Sequence, residues 1–228
     1  MFVLFTFLFV PKYDVRSKGL LHKPIHFLPH HGLMGAVQAS GAELFNTIID
    51  KSRHNGFDTR LEAAKIISNY YTDGTILDCA CGVGSFTTRL RKSISTDVQI
   101  IGTDASQQMI KHVSKKDNIE YKVQNIIDVS GWYDAITIGF LFHELPSQVQ
   151  VEVLSKVLNH AGDVWILDVN PEKIPNKVNY LFKLFEPFIE DYSNNFENNI
   201  YSTTTYLNIH NLSTDSLKLW TLSKHGPL

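Results

Sequence analysis

Ile76-Leu77-Asp78-Cys79-Ala80-Cys81-Gly82-Val83-Gly84-Ser85-Phe86 runs from an apolar stretch through a carboxylate into a turn that holds two glycines. The apolar stretch predicts a buried strand, and glycines just after it permit tight dihedrals and close approach of a ligand to the backbone. Twenty residues beyond Gly84, a second apolar run, Ile100-Ile101-Gly102-Thr103, ends in Asp104. A carboxylate at that strand end can accept hydrogen bonds from both hydroxyls of a ribose. A glycine turn alone also joins strands to helices that bind nothing. Joined to an acid at this spacing, it describes a nucleoside site.

Outward from this core the pattern repeats as short apolar runs separated by helical stretches. Strands are expected at Thr75 to Ala80, Val98 to Thr103, Glu120 to Gln124, Ala135 to Phe140 and Val164 to Val169. Strands alternating with helices imply an α/β fold with a mostly parallel sheet covered on both faces. Upstream, Leu44, Phe45, Ile48 and Ile49 mark one helix, and Leu61, Ala64, Ile66 and Ile67 a second with Asp58 as its N-cap. Downstream, Lys177 to Tyr192 has a helical pattern that includes the aromatic-rich run Tyr180 to Ile189. The Asn-rich patch Ser193 to Asn199 is expected to be a solvated loop, followed by strands at Ser202 to Ile209 and Leu217 to Leu222.

At 228 residues, 43% of them apolar, the chain has material for one substantial core. The expected organisation is a partly irregular N-terminal extension over residues 1–40 and a single domain over 41–228. Pro24, Pro29, Gly32 and Gly35 punctuate the extension. The formal charge of −2, with no long Lys or Arg run, gives no extended nucleic-acid footprint. The apolar run Phe2 to Val10 is nine residues long, well short of the roughly 20 that span a bilayer as a helix. It is expected to be a terminal strand, with peripheral membrane contact as the alternative. Cys79 and Cys81, one residue apart, are too close for an unstrained mutual disulfide and read as reduced thiols in a cytoplasmic protein.

With Asp78, Gly82 and Gly84 in the first turn and Asp104-Ala105-Ser106-Gln107-Gln108-Met109 after the second strand, the chain resembles the class I methyltransferases from about Ile66 to Val169. Ala80 stands where that family usually has its first glycine. The resemblance implies a Rossmann-like three-layer sandwich, with a seven-stranded, mostly parallel sheet whose last strand is antiparallel. It implies S-adenosyl-L-methionine as cofactor and a methyl-transferring enzyme. It places Asp104 on the ribose, with Ala105 and Ser106 beside it, and Met109, Asn125 and Ile126 around adenine. The turn residues Asp78, Ala80, Cys81, Gly82 and Gly84, together with Gly139 and Phe140, fall toward the methionine end. Asn125 stands where the family commonly has Asp, and its amide oxygen can accept the same hydrogen bond.

A nicotinamide dehydrogenase would share much of this turn. Its glycine fingerprint fails here, because the third position is Thr87. The segment Leu141-Phe142-His143-Glu144-Leu145-Pro146 is similar to that of small-molecule methyltransferases, particularly the ubiquinone and menaquinone C-methyltransferases. It makes His143 the candidate general base, with Glu144 in reserve. His22, His26, His30 and His31 suggest a metal at first sight, but Pro24 and Pro29 break any shared helix face, so no metal is expected. The expected partner is a small apolar or aromatic acceptor, and the oligomeric state is left open. The competing functions are a noncatalytic cofactor-binding regulatory or assembly protein, and a methyltransferase acting on protein or RNA.

Overall fold

The structure is a computed structural model that describes residue 40, residues 57–113, 118–175 and 186–224, and residue 226. The expected terminal strand at Phe2 to Val10, the four N-terminal histidines, the helix near Leu44 and most of the aromatic run from Tyr180 lie outside the described residues.

Seven strands form one sheet: β1 Gly74–Cys79, β2 Val98–Asp104, β3 Glu120–Val123, β4 Tyr133–Gly139, β5 Ala161–Val169, β6 Tyr206–His210 and β7 Leu217–Ser223. Their order is β3-β2-β1-β4-β5-β7-β6. β1 to β5 pair in parallel, and β7 runs antiparallel to both β5 and β6. The antiparallel last strand therefore inserts between its two predecessors. The chain moves outward from β1 through β2 to β3, then restarts on the other side with β4. The carboxyl ends of β1 and β4 thus flank the switch point at which open α/β sheets bind ligands.

Alternation along the strands divides the core between two faces. Ile76, Ile100, Trp165 and Leu219 pack on one side with helices α1 Thr59–Ser68 and α2 Ser85–Ser93, through Ala64, Ile67, Phe86 and Leu90. Leu77, Ile136, Ile166 and Trp220 pack on the other. There they meet the helices that follow a short α3, Gln107–Lys111, namely α4 Ser147–Leu158 and α5 Ile189–Thr203. Neighbouring positions such as Ile76 and Leu77 face opposite ways, as the period of two requires. Asp58 caps α1 as its sequence position suggests, accepting from the Leu61 backbone N–H at 2.9 Å.

The Asn-rich patch Ser193 to Asn199 is not a loop. It lies inside α5, and consequently β6 begins at Tyr206, Ser202 and Thr203 being the last turn of that helix. Ile189, Tyr192, Phe196 and Ile200 recur every three or four residues and are all buried. The asparagines occupy the positions between them, and tertiary bonds offset their poor helix propensity. Asn199 Nδ2 donates to Ser147 Oγ at 2.9 Å and to Gln150 Oε1 at 2.8 Å. Asp191 accepts from the Ser147 backbone N–H at 2.6 Å, capping α4 where Pro146 offers no side-chain acceptor.

Tyr121 on β3 lies across the sheet beside Gly102. A Cβ built on Gly102 would meet the Tyr121 ring at 2.7 Å, although the Gly102 backbone is ordinary strand. Gly102→Ala is therefore expected to lower stability by about 1–3 kcal/mol through overpacking. Tyr121→Ala in the same background should recover much of that loss, because the two side chains compete for one space. Urea unfolding of the two single variants and the double variant checks this. Additive losses would show that the clash is not the cause.

Candidate active site

The turn after β1 is strapped to β2 before any side chain contributes. Cys81 N donates to Thr103 O and Gly84 N to Cys81 O, both at 2.9 Å. Three of its residues take left-handed dihedrals: Ala80 at φ 54°, Gly82 at 57° and Gly84 at 81°. The conformation suits glycine and costs an L-residue roughly 1–2 kcal/mol, so Ala80 strains the turn without rerouting it. Gly82 and Gly84 serve different needs. A Cβ on Gly84 would strike the Tyr121 hydroxyl at 2.5 Å, whereas one on Gly82 would meet nothing within 4 Å. The Gly82 side is open to a ligand. A cavity of about 640 Å³ lies between the start of α1 and this turn, lined in part by Asp58, Leu61, Gly84 and Ser85.

Asp78 does not face that opening. Its carboxylate is buried and accepts from Thr87 Oγ1 at 2.5 Å and Thr137 Oγ1 at 2.8 Å. Burial pushes its acid up to about pKa 6 against the pull of the two hydroxyls. Thr87, the residue that breaks the dehydrogenase fingerprint, thus has a positive role: it ties the first turn of α2 to β1. Burial also raises the thiols of Cys79 and Cys81, which stay neutral and free.

Asp104, at the end of β2, holds the turn from the other side. Its Oδ2 accepts from Gly82 N at 2.9 Å and its Oδ1 from Ser106 N at 2.7 Å. Each oxygen has further lone-pair capacity, so the carboxylate can also take the two donors of a vicinal diol. Ser106 caps α3, accepting from Met109 N at 3.3 Å, and Met109 is buried while Ala105 is exposed. Asn125 Oδ1 caps its own turn, accepting from Ile127 N at 3.3 Å, with Ile126 half-buried beside it. Gly139 ends β4. Phe140 then turns into the left-handed region at φ 57°, held by its N–H to Leu167 O at 2.8 Å. That is costly for a bulky residue and marks the strand end as a constrained position.

His143 lies in the one-turn 3-10 helix Phe142–Glu144 just beyond. Asp168, near the end of β5 and fully buried, organises this segment. One of its oxygens accepts from His143 Nδ1 at 2.6 Å and Val169 N at 2.7 Å, the other from Phe142 N at 2.8 Å. His143 Nε2 looks toward Glu144 and Glu186, each at 3.9 Å. Burial alone would lower the imidazole, but Asp168, then Glu144 and Glu186, outweigh it and raise its pKa to about 10. The ring is accordingly a cation at neutral pH. His143, Glu144 and Glu186 could each offer one ligand atom to a metal, within 4.8 Å of one another. With the imidazole charged the trio forms an ion-pair cluster, and a metal there would have to displace the imidazole proton.

Sequence reasoning missed Asp168 and Glu186. Asp168 had a visible signal, an acid inside the apolar run Val164 to Val169. Glu186 had none, because its neighbour His143 is far away in the chain.

Comparison with known proteins bears directly on these residues. A family model described as "Methyltransferase domain" matches residues 76–174, which include the glycine turn, Asp104, Asn125, His143 and Asp168. The chain is 26% identical over 176 residues to demethylmenaquinone methyltransferase of Lactococcus lactis subsp. lactis, covering 68% of each chain. It is 28% identical over 121 residues to the Lysinibacillus sphaericus protein of that name, covering 50% of this chain and 51% of the relative. The fold is similar to plantazolicin methyltransferase BpumL in complex with SAH, with a TM-score of 0.58, 16% identity, and 83% and 98% of the two chains covered. It is also similar to the CurJ carbon methyltransferase, at a TM-score of 0.63, 13% identity, and 84% and 61% covered. No helix among the described residues is long and apolar enough to cross a membrane. With the family match falling on the glycine turn and the acid of β2, in a sheet of this order, residues 76–174 form a methyltransferase domain, and S-adenosylmethionine is its cofactor.

Proposed function

We propose that the acceptor is a small apolar or aromatic molecule that presents an oxygen to His143. The observation that carries this reading is the buried His143–Asp168 pair at the carboxyl ends of β4 and β5, on the same sheet edge as the glycine turn. Asp104 would take the ribose hydroxyls. Ala105, Met109, Asn125 and Ile126 would border adenine, and Ala80, Cys81, Gly82, Gly84, Gly139 and Phe140 the methionine end. When bound, S-adenosylmethionine supplies an electrophilic methyl group on a sulfonium. The chain's own tasks are then alignment of the acceptor and exclusion of water.

The sequence suggested His143 as a base, which would need a neutral ring. Three surrounding carboxylates hold its proton in place to about pH 10, which favours a donor role instead. With Nδ1–H bound to Asp168, the Nε2–H can donate to a phenolate or enolate oxygen and stabilise charge on it. The demethylmenaquinone methyltransferases among the relatives, named for a quinone precursor, support a small-molecule acceptor of this kind.

The test uses cofactor with a labelled methyl group against lipid, small-molecule, protein and RNA pools, with the parent and His143→Gln side by side. Label is expected in the lipid or small-molecule pool. The variant should lower kcat by about 10²-fold, the usual scale for one preorganised donor. Label confined to protein or RNA would overturn the acceptor class, and unchanged turnover and pH profile in the variant would remove His143 from the chemistry.

A further inference from the structure

Among the described residues β6 is the outermost strand at one end of the sheet, paired with β7 alone. An edge of this kind presents a row of open N–H and C=O groups, and proteins ordinarily blunt it with charge. The opposite edge follows that rule. β3 carries Glu120 and Lys122 at alternate positions, both about half exposed and paired with each other at 2.9 Å. β6 does not. From Asn198 to Thr214 the chain has no Asp, Glu, Lys or Arg, although 19% of all its residues are charged. Apolar groups reach the surface there instead: Ile209 is 48% exposed and Tyr206 40%, and Tyr201 in the last turn of α5 is exposed as well. The strand is also tied down at both ends. Thr204 Oγ1, just before it, donates to Ser223 O at 2.9 Å, and His210 Nε2 lies 2.7 Å from Thr221 Oγ1. A preformed edge gives up little conformational freedom when it pairs.

We propose that β6 pairs antiparallel with β6 of a second copy of this chain about a two-fold axis at Asn208, so that one continuous sheet runs through both protomers. A strand pairs with its own copy only where each residue suits the one it meets. The axis sets Leu207 against Ile209, Tyr206 against His210, and Asn208 against itself. The first pair is apolar and lies on the α5 face of the sheet, where the register with β7 puts Leu207 beside Leu222 and Ile209 beside Trp220. The second joins two flat rings, and the third is a pair of amides, each with donors and an acceptor for the other. No like charges meet.

The interface is small, so the dimer is expected to be reversible. Sedimentation velocity of the full chain between roughly 1 and 300 µM should show its mass rising from that of one chain toward that of two. Asn208 tests the register, because it is exposed in the protomer and meets only its own copy across the axis. Asn208→Lys and Asn208→Asp should each weaken association at least about 10-fold by setting like charges against each other, and an equimolar mixture of the two should recover it. Misfolding of either variant would not be reversed by mixing. A parent that stays monomeric at the highest concentration would overturn the proposal and leave the edge to another segment. Variants that associate as tightly as the parent, or a mixture no tighter than its components, would overturn it equally by placing the contact elsewhere.

Discussion

Asp104→Ala is expected to weaken S-adenosylmethionine binding roughly 10- to 150-fold, the consequence of losing an ionised acceptor worth about 1.5–3 kcal/mol. Two ribose hydroxyls donating to one carboxylate make charge-assisted hydrogen bonds, and alanine removes both acceptors together. The structure adds a second cost. Asp104 also accepts from Gly82 N and Ser106 N, so its loss frees the glycine turn and the start of α3 from a common anchor. Both bonds are only part-buried, and water can replace the carboxylate there, which limits the stability loss to about 1–2 kcal/mol. Calorimetric titration measures the first effect, and thermal unfolding followed by circular dichroism measures the second. If a folded variant binds as tightly as the parent, Asp104 does not hold the ribose, and the placement of Met109 and Asn125 around adenine loses its reference point.

Asp168→Ala should be the most destabilising change at the site, at about 3–5 kcal/mol, because it strips the partner from a buried cation. In a domain of this size that corresponds to a fall in Tm of roughly 6–20 °C. Phe142 N, Val169 N and His143 Nδ1 lose their shared acceptor in the same step. A pH signature accompanies the loss. His143 has its pKa raised from 6.5 to about 10 on folding, so its contribution is fully present below pH 6.5 and disappears as the pH rises to about 10. Across that window one proton changes stability by up to about 1.4 kcal/mol per pH unit. Without Asp168, the largest source of the upward shift, the variant should lose stability over a narrower range. Urea unfolding of both proteins at pH 6, 8 and 10 isolates this difference from other titrating groups. A variant within about 1 kcal/mol of the parent, with the same pH slope, would show that the pair is neither buried nor coupled as described.

The parts of this protein legible in its sequence are those that short-range physics dictates. Apolar runs long enough for one strand each gave five strands near their true bounds, and Asp58 was readable as a cap because capping is settled within one turn. The glycine turn and Asp104 were legible for the same reason: a β-strand, a tight turn and a following acid keep their spacing whatever packs around them. The Ser193 to Asn199 segment failed because asparagine favours loops locally. Only the burial of Tyr192, Phe196 and Ile200 and the bonds from Asn199 to Ser147 and Gln150 make it helical. The placing of β7 between β5 and β6 likewise depends on pairing partners, not on the strands' own residues.

At the site the division is the same. His143 was visible as a candidate, but its charge was not, since that depends on Asp168 and Glu186, 25 and 43 residues away in the chain. The Arg60 guanidinium carbon lies 4.3 Å from the centre of the Phe140 ring, and these residues, 80 apart in the chain, meet only because strand order brings the start of α1 over the end of β4. The sequence by itself determined the glycine turn with its following acid and the class of fold, both products of local spacing. Only the tertiary structure decided which buried charges face one another, because ionisation responds to distance in space and to burial, and neither can be counted along a chain.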